Sequence, residues 1–338
     1  SCLKTKAPRI FSARFTWRRH GMNKKAQTLM ISLWILAILT VLAVGIGHRV
    51  SLSLRISRYQ KDSLKAWGLA KAGLNLAIRQ IQKDTNDYDS LDEAWADDQT
   101  LFKRITLSPD PDQFAVVSHV RRNEEDKPVD IFGASDAESR ININKASKEV
   151  LQALLEKFAI NPAEDTVNSI LIWRGDAQDS GKIYDTLGYP AKGAFFQRIE
   201  EMNLVKGFNP ADFEKIRGLV TVYGDGAVNL NTVSLDALRA VCRGAAKKLG
   251  VDENFADSVA AKIAELRTGR GHFKDKAEID IMLTGDEETN IFNELMSVAS
   301  LRSQYFLIEV TGNSSRIKRK IEAVYDRKEK KIREWHES

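Results

Sequence analysis

The sequence predicts an α+β fold in which a long N-terminal helix packs on a small antiparallel sheet and a large all-α insertion interrupts that sheet. Three observations support this prediction. An apolar run occupies residues 29–47, strand-like segments occur only at 101–120 and after 305, and the part between them is mostly helical and repeats itself. Strands that are distant in sequence can pair side by side, so the two strand regions can form one sheet.

The apolar run at 29–47 is long enough to cross a bilayer, which takes about 20 residues at 1.5 Å each. Its polar interruptions are the hydroxyl groups of Ser32 and Thr40. Eight basic residues and no acidic residue precede it, and Asp62 is the first carboxylate after it. Because positive flanks stay in the cytoplasm, we expect one membrane pass with the C-terminal part outside. A cleaved secretory signal is the alternative, although its apolar core is usually about 7 to 15 residues.

Residues 1–26, before the apolar run, are interpreted as a leader. Met22 begins a short basic leader of its own, so residues 1–21 are interpreted as an over-extended start. The bond between Ala26 and Gln27 lies directly before the apolar helix and resembles the site that prepilin peptidases cleave. Those enzymes favour glycine at the position of Ala26. Prepilin peptidase is therefore an expected partner, although Ala26 stands where that enzyme favours glycine.

The basic excess of the chain belongs to this leader. The formal net charge is +5, but without residues 1–26 the chain has 43 basic and 46 acidic residues. The remaining part is slightly acidic, which argues against a nucleic-acid partner. Cys2 lies in the leader and Cys242 in a helical pattern, so no intrachain disulfide is expected and Cys242 is interpreted as a small buried residue.

The helical pattern continues beyond the membrane segment to about Lys83, which predicts one long helix over residues 27–83. Small residues cluster in its outer half and allow a sheet to approach closely. They are Ala66, Gly68, Ala70, Ala72 and Gly73. A signal anchor with a solvated stalk is the alternative, and it would place polar residues on this stripe.

Strand-like segments lie on both sides of the helical part, with turn residues between them. They are residues 101–107, 113–120, 305–311 and 320–325. A turn is expected at 312–315, and residues 327–338 can add an edge strand. The sheet is therefore assigned to residues 84–134 and 301–338, and the inserted helical domain to 135–300.

The helical insertion contains an internal repeat, over about 141–223 and 228–300. An Asn-x-Asn motif occurs twice, 87 positions apart, as Asn142 and Asn144 and then as Asn229 and Asn231. Each motif precedes a serine, Ser147 or Ser234, whose hydroxyl can cap the next helix. Further matching residues are Arg174 with Arg267, Phe196 with Phe273, and Glu201 with Glu278.

Units of this form resemble helix-hairpin-helix modules, which hold DNA by offering backbone N–H groups to a phosphate. The first hairpin has a single glycine, Gly207, and the second continues into Asp286, Glu287 and Glu288. Three acids at a helix start complement the helix dipole and repel further negative charge. Nucleic acid is therefore not the expected partner, and a membrane-anchored DNA-binding protein is the second hypothesis.

The first repeat carries an acidic insertion between Arg174 and Phe196 that the second lacks. Carboxylates in such a loop can gather oxygen ligands for a hard cation such as Ca²⁺. The candidate ligands are Asp176, Asp179, Asp185 and Glu201. A solvated polar loop is the alternative.

The order of these motifs resembles the K-type minor pseudopilins of type II secretion systems, also called general secretion pathway protein K. The resemblance covers nearly everything from Met22 onward. It rests on the start of the apolar helix at 27–34, the Asn-x-Asn repeats, the pair Trp173 and Arg174, the two Phe-x4-Glu segments and the stretch 220–224.

The resemblance implies a pilin-like helix and sheet and a chain that is not an enzyme. It places Ile31, with Leu33 and Trp34, in an assembly helix where pilin-like proteins normally carry a glutamate. It further implies an inner-membrane protein with a periplasmic C-terminal domain, located at the tip of the pseudopilus. The implied partners are I-type and J-type minor pseudopilins and the major pseudopilin, and the implied cofactor is calcium.

The residues themselves offer little for catalysis. The sequence contains no glycine-rich phosphate loop and no His-x-x-x-His metal pair. A membrane-tethered hydrolase is therefore only a third hypothesis.

Overall fold

A computed structural model describes residues 24–122, 127–180, 182–279 and 282–338. The helices are α1 Lys24–Lys83, α2 Gln99–Phe102, α3 Lys148–Lys157, α4 Ala163–Trp173, α5 Pro210–Ile216, α6 Leu235–Leu249, α7 Glu253–Arg270 and α8 Asp286–Ser297. The strands are β1 Gln113–Val117, β2 His119–Arg122, β3 Pro128–Ile131, β4 Ser135–Asp136, β5 Ile141–Asn142, β6 Val220–Thr221, β7 Val228–Asn229, β8 Ala299–Ser300, β9 Tyr305–Ser314, β10 Ile317–Asp326 and β11 Lys331–Glu337.

Helix α1 is continuous over 60 residues and ends at Lys83, which confirms the predicted helix end. Contacts divide the chain into two units, at Gln60 and Lys61. In the first unit, residues 24–60 are exposed, and the apolar part of the helix is long and apolar enough to cross a membrane.

The second unit contains an antiparallel sheet in the order β1-β9-β10-β11, with β4 also paired to β9. The C-terminal half of α1 packs on this sheet through Ala66, Ala70 and Gly73, as predicted, whereas Gly68 faces open space. A Cβ atom on Gly73 would lie 2.7 Å from Cγ1 of Val310, and one on Gly312 would overlap the carbonyl oxygen of Ala66. Side chains of both elements, including Leu74 and Ile308, form the hydrophobic core beneath the helix.

The strand predicted at 101–107 is wrong. Asp98 accepts a hydrogen bond from the amide of Leu101 and caps α2, and the side chain of Phe102 is buried in the core. Ile105 forms only an isolated bridge, with Ala115. The cap and the burial of Phe102 together outweigh the strand pattern of this segment.

The C-terminal strands follow the sequence more closely. The predicted edge strand is confirmed as β11. The strand predicted at 113–120 divides into β1 and β2, and β2 pairs with β3 instead of continuing along β9. The turn predicted at 312–315 falls at 315–316 instead. Gly312 lies within β9, where the helix comes closest.

The helical region lies between β4 and β9 in the chain and has a hydrophobic core of its own. Two short parallel strand pairs each join the two ends of one repeat, β5 with β6 in the first and β7 with β8 in the second. Cys242 is buried in α6, as predicted, and burial raises the pKa of its thiol to about 12. A thiol so shielded is a packing residue.

Candidate functional site

The predicted assembly helix presents an apolar surface at its start. Ile31 is 53% exposed, and Leu33 and Trp34 are also exposed. The hydroxyl groups of Ser32 and Thr40 donate to carbonyl oxygens of the same helix, each at 2.8 Å. All polar groups of this segment can thus be satisfied inside the helix, as a lipid environment requires.

The predicted cleavage site lies at the beginning of the same helix. Ala26 and Gln27 are exposed in the first turn of α1. The structure places them directly before the apolar segment and leaves their processing as a prediction.

Asn144 and Asn231 make the same pair of hydrogen bonds in the two repeats. Nδ2 of Asn144 donates to the carbonyl oxygen of Phe196 at 2.9 Å, and the Phe196 amide donates back to Oδ1 at 2.7 Å. Nδ2 of Asn231 donates to the carbonyl oxygen of Phe273 at 2.9 Å, and the Phe273 amide donates back at 2.8 Å. Each buried asparagine therefore completes the hydrogen bonding of a distant backbone segment.

The arginines of the repeats also act alike. Each guanidinium donates through Nη1 to two carbonyl oxygens that follow the first strand of its repeat. For Arg174 the acceptors are Ile143 and Ala146, at 2.6 and 2.9 Å, and for Arg267 they are Leu230 and Val233, both at 2.8 Å. The two arginines therefore fix the turn that enters the next helix.

The helix-capping serines and the glutamates of the two repeats also make matching contacts. Ser147 accepts a hydrogen bond from the amide of Val150 and Ser234 from that of Ala237, which confirms both predicted caps. Glu201 and Glu278 each accept a backbone amide four residues earlier, at 2.9 and 2.8 Å. The repeat read in the sequence thus has a common hydrogen-bond framework.

The first asparagine of each motif is used differently. Nδ2 of Asn142 donates to the carbonyl oxygens of Tyr223 and Gly224, at the end of its own repeat. Nδ2 of Asn229 instead lies within 2.9 to 3.1 Å of the carbonyl oxygen of Asp89, Oδ2 of Asp136 and Oγ of Ser303. The second repeat is therefore bound to residues outside the helical region.

The helix-hairpin-helix interpretation of the repeats is not confirmed. Gly207 has a φ of 94°, and a Cβ there would lie 2.5 Å from Oγ1 of Thr166, so the glycine is explained by packing. In the second hairpin, Oε2 of Glu288 accepts the amide and the hydroxyl of Thr284, at 2.7 and 2.8 Å. A carboxylate already fills the position that a phosphate would need.

The four predicted calcium ligands do not converge. The carboxylate of Asp176 contacts the guanidinium of Arg174 at 2.7 Å, and Glu201 contacts the ammonium group of Lys192 at 2.8 Å. Asp179 accepts the amides of Ile183 and Tyr184. With protein donors already at three of the four carboxylates, the arrangement as it stands does not fit a calcium ion, and calcium binding remains a prediction.

Sequence reasoning missed a buried polar cluster between the helical region and the sheet. Oδ2 of Asp136 accepts the hydroxyl groups of Thr232 and Ser303, at 2.5 and 2.7 Å, besides Asn229. The guanidinium of Arg327 contacts both carboxylate oxygens of Asp89, at 2.8 and 2.6 Å. The residues come from five separate segments, so no motif of the sequence joins them.

The same cluster contains the carboxylates of Asp84, Asp89 and Glu93, whose oxygens lie within 4.8 Å of one another. Among the described residues, this is the group closest to a metal-binding arrangement. Arg327 binds Asp84 at 3.2 Å in addition to Asp89. A guanidinium therefore supplies the positive charge that these acids need.

Comparison with known proteins agrees with this architecture. The family described as "Type II secretion system (T2SS), protein K", first domain, matches residues 129–225. A type II secretion system protein K of Pseudomonas aeruginosa PAO1 is 26% identical over 241 residues, which cover 66% of this chain and 69% of that protein.

The fold is similar to that of a chain in the crystal structure of the GspK-GspI-GspJ complex from the type 2 secretion system of enterotoxigenic Escherichia coli. The TM-score is 0.60 at 15% sequence identity, and the match covers 83% of this chain and 99% of the other. The expected resemblance is thus confirmed by sequence, and the fold by structure. The chain is thus similar to protein K of type II secretion systems, by a family model over residues 129–225, by a curated relative and by fold.

Proposed function

We propose that this pseudopilin occupies the tip of the pseudopilus, where it initiates or caps the fibre that exports folded proteins across the outer membrane. The observation that carries the proposal is the apolar start of α1. Ile31 stands where pilin-like subunits carry their assembly glutamate, and residues 24–61 contain no carboxylate. In those fibres the glutamate neutralises the terminal amine of a neighbouring subunit.

A carboxylate without its partner is costly in a bilayer. A subunit with Ile31 leaves no such acid unpaired, so it can begin a fibre with no subunit above it. The helical region supports the same role, because the chain between β4 and β9 adds a domain with its own core to the pilin-like sheet. Such bulk obstructs a further subunit above the sheet.

The proposed partners are the I-type and J-type minor pseudopilins and, below them, the major pseudopilin. The related Escherichia coli protein was crystallised in complex with GspI and GspJ. Here the exposed apolar residues of α1 offer a surface for helix packing, which holds helices together in lipid without a charged contact. The proposed location is the inner membrane, with residues after the apolar segment in the periplasm.

Maturation by prepilin peptidase before Gln27 belongs to the same proposal. It is supported by the position of Ala26 and Gln27 directly before the apolar helix. Mass spectrometry of the protein recovered from membranes tests it, and an N-terminus other than Gln27 would contradict it.

Ile31→Glu tests the tip position. We co-express the full-length chain with the I-, J- and major-type pseudopilins of its own system and map neighbours by crosslinking along α1. The wild type is expected to crosslink to subunits on one side only. Ile31→Glu is expected to give fewer of these crosslinks, because its acid has no partner in the bilayer and the helical region still obstructs a subunit above. Ile31→Leu is the matched control and keeps the wild-type pattern.

Wild-type crosslinks to subunits on both sides would overturn the tip position. Recovery from membranes without any pilin-like partner would overturn the pseudopilus role as well. Salt-dependent binding to DNA would instead support the second hypothesis, which no contact in the described part of the chain favours.

A further inference from the structure

Glu138 is a buried acid at the boundary between the sheet and the helical region. It is 5% exposed, and within the described residues no cationic side chain forms an ion pair with it. Oε1 accepts the amide of Gln304 at 3.1 Å. Gly224 lies against the same side chain, since a Cβ there would be 2.9 Å from Cγ of Glu138.

Two further buried carboxyl groups lie nearby, and they have more donors. Asp136 accepts the amide of Glu138 at Oδ1 and three side-chain donors at Oδ2. Asp89 accepts the guanidinium of Arg327 and the amide of Ser303, the latter at 2.6 Å. Donors directed at a carboxyl group favour its ionised form, and Glu138 has the fewest of them in this trio.

The position of Glu138 gives its charge a structural consequence. It belongs to the turn Ala137–Ser139, which follows β4 on the sheet and precedes β5 in the helical region. Asp136, its near neighbour, binds Asn229 and Thr232 of the second repeat. A further negative charge at this point acts directly on the contacts that attach the helical region to the sheet.

We propose that Glu138 holds a proton in the folded protein, and that loss of this proton weakens the attachment of the helical region to the sheet. This effect of proton loss depends only on the buried polar cluster and not on the position of the subunit in a fibre.

The electrostatic surroundings agree with this assignment. Burial raises the pKa of Glu138 to about 8, and the negative charges of Asp136 and Asp225 act in the same direction, against the amide of Gln304. Burial also raises the pKa of Asp89, to about 7, although Arg327 opposes that increase. Burial raises the pKa of Asp136 as well, against its hydrogen-bond donors.

Glu138 borders a cavity of about 430 Å³, whose other charged residues are Asp225, Arg302, Arg327 and Lys328. Arg302 contacts Asp87 at 3.2 Å, and Arg327 is bound to Asp89. These two cations are thus engaged by other carboxylates.

The sign of the pH effect follows from the raised pKa. The unfolded chain loses this proton near the ordinary glutamate value of 4.5, and the folded chain near 8. Between these values the folded state binds one proton more, so stability falls as pH rises. The ratio of the wild-type folding constant to that of Glu138→Gln is expected to fall about tenfold per pH unit in this window.

Urea unfolding of the full chain in detergent micelles, followed by tryptophan fluorescence from pH 5 to pH 9, measures this ratio. Glu265→Gln, on the exposed side of α7, is the matched control and is expected to run parallel to the wild type. A constant ratio between Glu138→Gln and the wild type would overturn the proposal.

Two measurements keep the test independent of how well Glu138→Gln folds. Infrared spectra of the wild type at neutral pH should contain the band of a protonated carboxyl group, which disappears near pH 9. Asp225→Asn removes a negative charge facing Glu138 and should move that disappearance to lower pH. A wild-type spectrum with no such band at neutral pH, or an unchanged titration in Asp225→Asn, would contradict the assignment.

Discussion

The two repeats of the helical region share one hydrogen-bond framework but differ in what their first asparagine binds. Asn142 closes its own repeat through Tyr223 and Gly224, whereas Asn229 contacts Asp136 and Ser303 outside the helical region. The difference shows how a repeated unit acquires a fixed attachment: one side chain is redirected to a buried carboxylate while the rest of the framework is kept.

The largest effect is expected from removing the redirected asparagine. Asn229→Ala leaves Asp136 and Ser303 short of a buried donor, so we expect a loss of about 3 kcal/mol in the free energy of unfolding. Both variants also lose the acceptor of a buried amide two residues later. The donors that Asn142→Ala removes serve only neutral carbonyl groups, so it should cost less, about 1 to 2 kcal/mol. Urea unfolding of both variants measures the difference, and equal losses would contradict the special role of Asn229.

The second effect concerns the start of the last helix in each repeat. In the first repeat Asn209 caps α5 through the amide of Asp212, whereas in the second Gly285 has no side chain and Glu288 reaches back to Thr284. Burial disfavours the charge of Glu288, but Lys262, Ser258 and Thr284 outweigh it and lower its pKa to about 2.

Glu288→Gln is therefore expected to cost about 2 kcal/mol at pH 7. A lowered carboxyl pKa stabilises the fold above the usual glutamate value, and this contribution is lost as pH falls towards 2. The stability difference from the wild type should thus shrink between pH 5 and pH 2. Asp212→Asn is the matched change in the first repeat and should cost under about 1 kcal/mol, because its pair with Lys215 is partly exposed.

The serine caps test the shared framework. Ser147→Ala and Ser234→Ala should each cost about 1 kcal/mol, because each leaves one helix-terminal amide without its acceptor. Thermal unfolding of both variants compares them directly, with Ser→Thr at each position as the control that keeps the hydroxyl. Clearly unequal losses would show that the two repeats are less alike than their contacts indicate.

The smallest effect belongs to the insertion that only the first repeat carries. Lys192 contacts Glu201 at 2.8 Å, and both side chains are partly exposed. Lys192→Met should cost about 0.5 kcal/mol, since solvent screens such pairs. Lys274→Met, near Glu278, is the control in the second repeat, and chemical denaturation should detect no change in its stability. A loss above about 2 kcal/mol in Lys192→Met would indicate a structural role for the insertion.

Much of the fold could be predicted because its signals are local. The continuous helix to Lys83, strand β11 and the caps Ser147 and Ser234 follow from periodicity and from residues a few positions apart. The short helix α2 was missed because the core position of Phe102 overrides the local strand pattern.

The buried polar cluster between the helical region and the sheet could not be predicted in this way. Arg327 and Asp89 are 238 positions apart, and in the sequence each looks like an ordinary surface residue. The acidic insertion between Arg174 and Phe196 suggested a calcium site for a related reason. Asp179 is used to bind backbone amides, a role that a count of carboxylates does not distinguish from metal binding.

The contact between α1 and β9 at Gly312 has a mechanical consequence. One helical residue corresponds to 1.5 Å along the axis, and the backbone of Ala66 already fills the space above Gly312. Sliding the helix along β9 would move this close contact from Gly312 onto strand residues that carry side chains. A force along the part of the helix from Lys61 to Lys83 is therefore transmitted to the sheet through this contact.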